Sequence, residues 1–183
     1  MSAEPRGGGA PVLTTARLTM RGHRASDLDS LVALWGDPAV VRLISGTPSS
    51  REECWARLLR YAGLWPTLGF GYWLLEARSD GRFIGEAGFA DFKRQVEPGL
   101  EGALEAGWVI VPSEHGKGYA TEAMLAALAW AEATLAPRRS VCMVAPDNAA
   151  SLRVAAKCGY RSYAVTTYKE APTLLLERPL AAG

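Results

Sequence analysis

Charge of one sign is what this sequence most plainly lacks. Twenty Lys and Arg stand against 19 Asp and Glu, a formal net charge of +1. With no long basic run either, there is no electrostatic footprint for a nucleic-acid partner. Cysteine is scarce and odd in number: Cys54, Cys142 and Cys158 show no metal-ligand spacing, and the two histidines, His23 and His115, lie far apart. Those absences argue against a disulfide framework and leave no metal site to assign. The most apolar helical stretch, Met124 to Leu135, is too short to span a bilayer and contains Glu132. Met1 to Ala10 carries Gly7-Gly8-Gly9 but no apolar signal core. The expectation is a reduced, cytoplasmic protein, monomer or homodimer, with neither nucleic acid nor membrane as partner.

What is present suits a globular domain. The 183 residues are 49% hydrophobic and 21% charged, enough chain to bury about 70% of its unfolded surface. Residues 1–12, rich in Gly and Pro, are expected to be a flexible tail, with one domain over 13–183. Arg17 to Arg21 alternates as a strand. Ser26 with Asp29 predicts a helix start, followed by an apolar face of Leu28, Leu31, Val32 and Trp35, and Gly36-Asp37-Pro38 ends it. Ser50 with Glu53 opens a second helix, with Trp55, Leu58, Leu59 and Ala62 as its stripe and Gly63 and Pro66 as its exit. Gly71–Ala77 and Arg82–Phe92 flank an Asp80-Gly81 turn, Lys93–Ala103 reads as a loop, and Leu104–Val111 is a further strand. A helix over Tyr119–Ala136 buries Met124, Leu128, Ala131 and Leu135, with Pro137 beyond it. Ser140–Ala145 is a strand, Asp147 or Asn148 caps a short helix ending at Gly159, and Tyr163–Tyr168 and Thr173–Arg178 close the chain. The fold class is α/β (α+β): one mixed, mostly antiparallel sheet with helices on both faces.

Two segments carry chemistry. From Trp108 to Met124 a buried strand breaks into a loop with two glycines and becomes a helix at Tyr119. Unpaired backbone N–H groups and the positive end of the helix dipole then converge, and an anion fits. Gly116 and Gly118 clear the approach, and Lys117 adds charge at the rim. A tight turn that binds nothing has the same sequence grammar. At the next strand-to-helix junction Asn148 and Ser151, three apart, share one face of the first turn. Taken alone, Asn148 can be a plain N-cap and Ser151 a solvent-facing residue.

Together the two segments resemble the GCN5-related N-acetyltransferases, most of all the branch that acetylates ribosomal-protein N-termini. That family's pyrophosphate loop, (Q/R)-x-x-G-x-(G/A), is matched by His115-Gly116-Lys117-Gly118-Tyr119-Ala120, with His at the first position. The branch's G-K-G-Y-A-T-E-A stands intact from Gly116 to Ala123. N-x-x-S-x-x-V-x-x-K-x-G-(F/Y) is complete from Asn148 to Tyr160, and Thr15 to Arg21 is similar to the opening strand T-x-R-L-x-L-R. The loop lacks the nucleotide-binding G-x-x-x-x-G-K-[ST] pattern.

The resemblance implies an acetyl-CoA-dependent N-acetyltransferase with a single such domain over 13–183. Acetyl-CoA would lie beside Leu104–Val111, with backbone groups of Val109, Ile110 and Val111 on the pantetheine and thioester. His115, Gly116, Lys117, Gly118, Tyr119, Ala120 and Thr121 would hold the pyrophosphate, and Asn148 the pantetheine arm. The acceptor would be a primary amine, a protein N-terminal α-amine or a small molecule, attacking the thioester directly. No cysteine is assigned a catalytic role. The amine must lose a proton, to Glu105 first, to Glu86 second, or through water. Ser151 would protonate the leaving thiolate, while Tyr160 packs in the core and His115 stays with the cofactor. An acyl-CoA-binding module without turnover is the alternative from another class. Trp35, Trp55 and Trp65 are open to lining an acceptor cleft, core packing being the competing reading for Trp35 and Trp55.

Overall fold

The alternation at Leu18–Arg21 forms strand β2, which buries Leu18 and Met20 and pairs antiparallel with a two-residue strand β1, Leu13–Thr14. The computed structural model describes residues 8–135 and 139–180. The sheet continues through β3 (Tyr72–Ala77), β4 (Phe83–Ala90), β5 (Leu104–Ile110), β6 (Arg139–Val144), β7 (Arg161–Tyr168) and β8 (Ala171–Pro179). Its order among the described residues is β1-β2-β3-β4-β5-β6-β8-β7, eight strands of which β5 and β6 pair parallel and the other neighbours antiparallel. Among the described helices are α1 (Leu28–Trp35), α2 (Pro38–Val41), α3 (Arg51–Leu68), α4 (Tyr119–Leu135) and α5 (Ala149–Lys157). The mixed, mostly antiparallel sheet with helices on both faces is the arrangement expected. Pro137 lies outside the described residues.

Strand alternation divides the core. Ile84, Ala87, Phe89, Ala106 and Ile110 pack with Ala120, Ala123, Met124 and Leu128 of α4 on one face. Leu74 and Val109 pack on the other with Leu31, Leu34 and Trp35 of α1 and Cys54 and Leu58 of α3. Glu105 and Gly107 therefore share the face of Val109. A Cβ at Gly107 would collide with the Tyr72 hydroxyl, so a larger residue there would have to displace that buried ring.

Three local expectations need correction. The α1 entrance is organised by Asp27, which accepts the Arg24 N–H at 2.6 Å and pairs with Arg21, not by Ser26 and Asp29. Asp29 instead takes the Arg51 guanidinium at 2.7 Å. The buried stripe of α3 is Cys54, Leu58, Tyr61, Leu64 and Trp65, while Trp55 and Leu59 face solvent. The helix carries two overlapping apolar stripes, and the sheet takes the one with Tyr61 and Trp65. That choice also settles the exit. Burial of Trp65, whose indole donates to the Tyr72 carbonyl at 3.1 Å, carries the helix through Gly63 and Pro66 to a left-handed Gly69.

The predicted box at the start of α3 is present with both arms. The Glu53 N–H donates to Ser50 Oγ at 3.2 Å, and the Ser50 N–H donates to Glu53 Oε2 at 2.7 Å. Ser50→Ala should cost about 1 kcal/mol, seen as a drop of roughly 2–4 °C in Tm. An unchanged melting curve would contradict that role for the cap.

Candidate active site

Strand β5 has two different edges. Along one it pairs with β4 without interruption, from Gly85↔Ile110 to Ala90↔Glu105. Along the other it meets β6 only at Leu104↔Ser140 and Glu105↔Val141. Strand β6 keeps register with β8 over its whole length, Arg139↔Pro179 to Val144↔Leu174, and so follows β8 rather than β5. From Ala106 onward the two parallel strands splay. Backbone groups of β5 that point away from β4 have no strand to pair with, and such groups seek a partner. One is already taken: the carbonyl of Ile110 accepts a hydrogen bond from His115 Nε2 at 2.7 Å. That contact places the Nε2 proton and turns His115 back onto the loop.

Beyond the splay, Gly116 (φ 76°) and Gly118 (φ 85°) hold left-handed conformations, which a side chain at either position would resist. These turns leave the backbone N–H groups from Gly116 to Thr121 without an acceptor among the described residues; the next, of Glu122, returns to the Gly118 carbonyl at 3.0 Å. A row of unpaired N–H groups at the start of a 17-residue helix suits an anion by geometry and dipole together. Lys117 sits at its rim, with Nζ 3.1 Å from Glu114, which also faces Arg82. Tyr119 and Ala120 anchor the turn in the core.

Sequence reading saw Arg17 only as part of a strand. In the structure it braces the loop from behind. Its Nη1 donates to the Lys117 carbonyl at 2.9 Å, its Nε and Nη2 reach Glu122 at 2.7 and 2.6 Å, and its guanidinium lies 4.4 Å over the Tyr119 ring. Glu122 also accepts from Thr15 Oγ1 at 2.6 Å and from the Arg17 N–H at 2.9 Å. Burial alone would raise the Glu122 pKa, but these donors outweigh it and hold the carboxyl below its ordinary range. The signal was visible as T-x-R near one end and Glu122 after the loop. What it lacked was a reason to join segments about a hundred residues apart.

At the second junction Asn148 is the N-cap of α5, its Oδ1 accepting the Ser151 N–H at 3.0 Å. The cap uses the oxygen and leaves the amide NH2 as a donor. Ser151 is half-buried, and its hydroxyl has no partner among the described residues. Tyr160 packs in the core, hydrogen-bonded to Ser140 Oγ at 2.7 Å. All three thiols are buried, and burial pushes Cys158 up to about 11 and Cys142 higher still. None offers a thiolate near neutrality.

The two glutamates differ sharply. Glu86 is fully buried, with His23 Nε2 at 2.6 Å on one oxygen and Trp35 Nε1 at 2.7 Å on the other. Glu105 lines an open cavity of about 720 Å³ formed with the 93–103 loop and β7. Its carboxylate receives Arg94 Nε at 2.6 and 2.8 Å, and Arg94 Nη1 donates to Tyr168 Oη at 2.6 Å. Burial raises the Glu105 pKa, with Arg94 pulling against it. Trp35 and Trp65 are core residues, and exposed Trp55 lines neither described cavity.

A family model described as an acetyltransferase (GNAT) domain matches residues 17–161, and the chain belongs to that family. A putative GnaT-family acetyltransferase from Bordetella pertussis is 31% identical, with TM-score 0.80 over 92% of this chain and 99% of that one. The ribosomal-protein-S5-alanine acetyltransferase of Vibrio fischeri shares the fold at 17% identity, with TM-score 0.74 over 93% of this chain and 97% of that one. Spermidine N-acetyltransferase from Vibrio cholerae, solved with CoA and spermine, does so at 16% identity, with TM-score 0.73 over 92% and 98% of the two chains. The protein is an acetyltransferase with acetyl-CoA as its donor. The splayed edge and the row of N–H groups suit that cofactor, one offering strand-like pairing to an amide-bearing arm and the other donors to a pyrophosphate.

Two outcomes follow. Acetyl-CoA should raise Tm, and Gly118→Val should remove most of that rise, since Val resists φ near 85°; an undiminished rise would contradict the assignment of the loop. Because folding lowers the Glu122 pKa, its cluster stabilises the protein above the unfolded value of about 4.3. That stability is lost as pH falls through the lower folded value. Glu122→Gln should therefore melt below wild type at pH 7, the gap closing in acid. A gap constant from pH 7 to pH 3 would overturn this role.

Proposed function

We propose that the protein acetylates a primary amine by direct attack, without an acyl-enzyme. One observation carries the reading: the free edge of β5, which adjoins the anion-binding loop at one end, leads at its other end to a cavity lined by Glu105. Bound acetyl-CoA supplies an acetyl group on a thioester. Its arm lies along the splay, met by the main chain at Ile110; Val111, expected to join it, instead donates its N–H to the Ile84 carbonyl at 2.9 Å, and Val109 turns its main chain the same way, toward Glu86. The Asn148 amide NH2 at the start of α5 is a further donor for the arm. The loop from His115 to Thr121 holds the pyrophosphate, His115 through its brace on Ile110 rather than as a base. Donors fixed near the thioester carbonyl favour the charge that develops there.

Glu105 receives the amine's proton, directly or through one water. It lies about 7 Å along the strand from Gly107, on the face that the acceptor approaches. Its raised pKa brings it closer to the working range of a general base. Both carboxylates have partners, but Glu105 lines the open cavity whereas Glu86 is fully buried beneath His23 and Trp35, so Glu86 is the weaker candidate. Ser151, with an uncommitted hydroxyl, supplies a proton on the leaving side. Names among the structural neighbours include both protein N-terminal and polyamine acceptors, so the acceptor here is an α-amine of a chain or an amine of a small molecule. A cytoplasmic setting accords with three free thiols and with the absence, among the described residues, of a helix long and apolar enough to cross a membrane.

Free-thiol release against an amine panel tests the reading. Glu105→Gln should suppress turnover near neutral pH and recover in part at high pH, where more amine is already neutral. Ser151→Ala should lower kcat and leave the acetyl-CoA thermal shift intact. Full activity of Glu105→Gln at every pH would move the base to Glu86 or water. Loss of the thermal shift in Ser151→Ala would make Ser151 a cofactor ligand.

A further inference from the structure

Two cavities of opposite character open on the side of the sheet that carries Glu105. The larger contains Asp91, Glu97, Glu101 and Glu105 against Lys93 and Arg94. Both cations are committed there, Lys93 to Asp91 at 2.6 Å and Arg94 to Glu105 at 2.6 Å. The smaller, about 370 Å³, lies between the 45–49 loop, α3 and the tip of the β7–β8 hairpin. Arg57, Arg60 and Lys169 line it, with Glu53 as its one carboxylate. Glu53 is already engaged by the Ser50 N–H. No described carboxylate lies within ion-pair distance of the three cations.

Two features show that this positive cavity is built rather than incidental. The Arg57 guanidinium is held 3.6 Å over the Trp35 ring, with its Nε buried and lacking an acceptor. Trp35 in turn donates to Glu86, whose Cα partner is Val109 on the splayed strand. One indole therefore separates the cavity from the centre of the site. The hairpin tip is the second feature. Lys169 (φ 49°) and Glu170 (φ 64°) both adopt the left-handed conformation, which tight hairpins ordinarily give to Asn or Gly because other residues lose about 1 kcal/mol each in it. A Lys kept at such a position faces the cavity, while its neighbour Tyr168 meets Arg94 beside Glu105. The same tip thus borders both cavities.

We propose that the acceptor is amphoteric: a small primary amine that also bears a carboxylate or phosphate, the anion held by Arg57, Arg60 and Lys169. The amine turns toward Glu105 and the acidic cavity. The cavity of about 370 Å³ has room for a carboxylate or phosphate group beside its three cations. The inference rests on the acetyl-transfer reading.

The test compares acceptors matched except for charge, amino acids with their amides and aminoalkyl phosphates with the corresponding amino alcohols. Wild type should favour the anionic member about tenfold in kcat/KM, chiefly through KM, as expected for a hydrogen-bonded ion contact. Lys169→Gln, Arg60→Gln and Arg57→Gln should each erode that preference while sparing the acetyl-CoA thermal shift. Lys169→Asn relieves the turn, so Tm should hold or rise while KM for the anionic amine rises; a purely structural Lys169 would not separate the two. A second arm needs no turnover: inorganic phosphate and an amine-free dicarboxylate should raise the wild-type Tm, and the rise should shrink in the variants. Equal use of neutral and anionic acceptors, or a preference unchanged in all three Gln variants, would overturn the proposal. So would acetylation confined to peptide N-termini irrespective of acidic residues. Absence of amine-dependent thiol release with every amine, alongside a variant-sensitive anion shift, would sink acetyl transfer to amines and leave the anion site standing.

Discussion

The site depends on a short register. Strands β5 and β6 pair at two positions and then part, because β6 is bound for its whole length to β8. A parallel pair continued to the end of β5 would have satisfied its backbone and left nothing to bind. The interruption instead exposes a strand edge inside the protein, where unpaired polar groups are costly unless a ligand or water meets them. At the end of the same strand the loop from Gly116 to Thr121 repeats the device, with N–H groups in place of a strand edge. On the proposed reading, cofactor recognition falls largely to main chain, and side chains mostly set where that main chain runs.

That division explains why residues far from the cofactor matter. Arg17 and Glu122 touch the back of the loop, and Thr15 and Tyr119 extend the contact. They join the opening strand to the first turn of α4, so the anion site is braced against the sheet's far edge. His115 plays a comparable part from the other side, tying the loop to the last residue of β5. On the acceptor face, positioning is done by side chains instead. Arg94 links Glu105 to Tyr168, and Trp35 links Glu86 to Arg57.

Much of the fold was legible because its signals are local. The Ser50–Glu53 box, the Asp80-Gly81 turn, the Asn148 cap and the left-handed Gly159 each follow from a few neighbouring residues. The turn at Gly116 and Gly118 was legible for the same reason, since its glycines and the helix after them are contiguous. Where several local solutions compete, tertiary packing decides, and reading failed there. Helix α3 could bury Trp55 and Leu59 or Tyr61 and Trp65, and only the sheet selects the second pair. The entrance of α1 went to Asp27 because Arg21, six residues earlier on another element, holds it. The Arg17 brace and the positive cavity lay beyond reach altogether: each joins segments that no spacing rule connects.

The central claim is that backbone N–H groups from Gly116 to Thr121, with the free edge of β5, form the cofactor site. Backbone amide chemical shifts followed during titration with CoA test it residue by residue. The account predicts that Gly116 to Thr121 and the Ala106 to Val111 stretch move first and furthest, with slowed hydrogen exchange at the same amides. Perturbations that leave those amides in place while concentrating elsewhere in the sheet would contradict it.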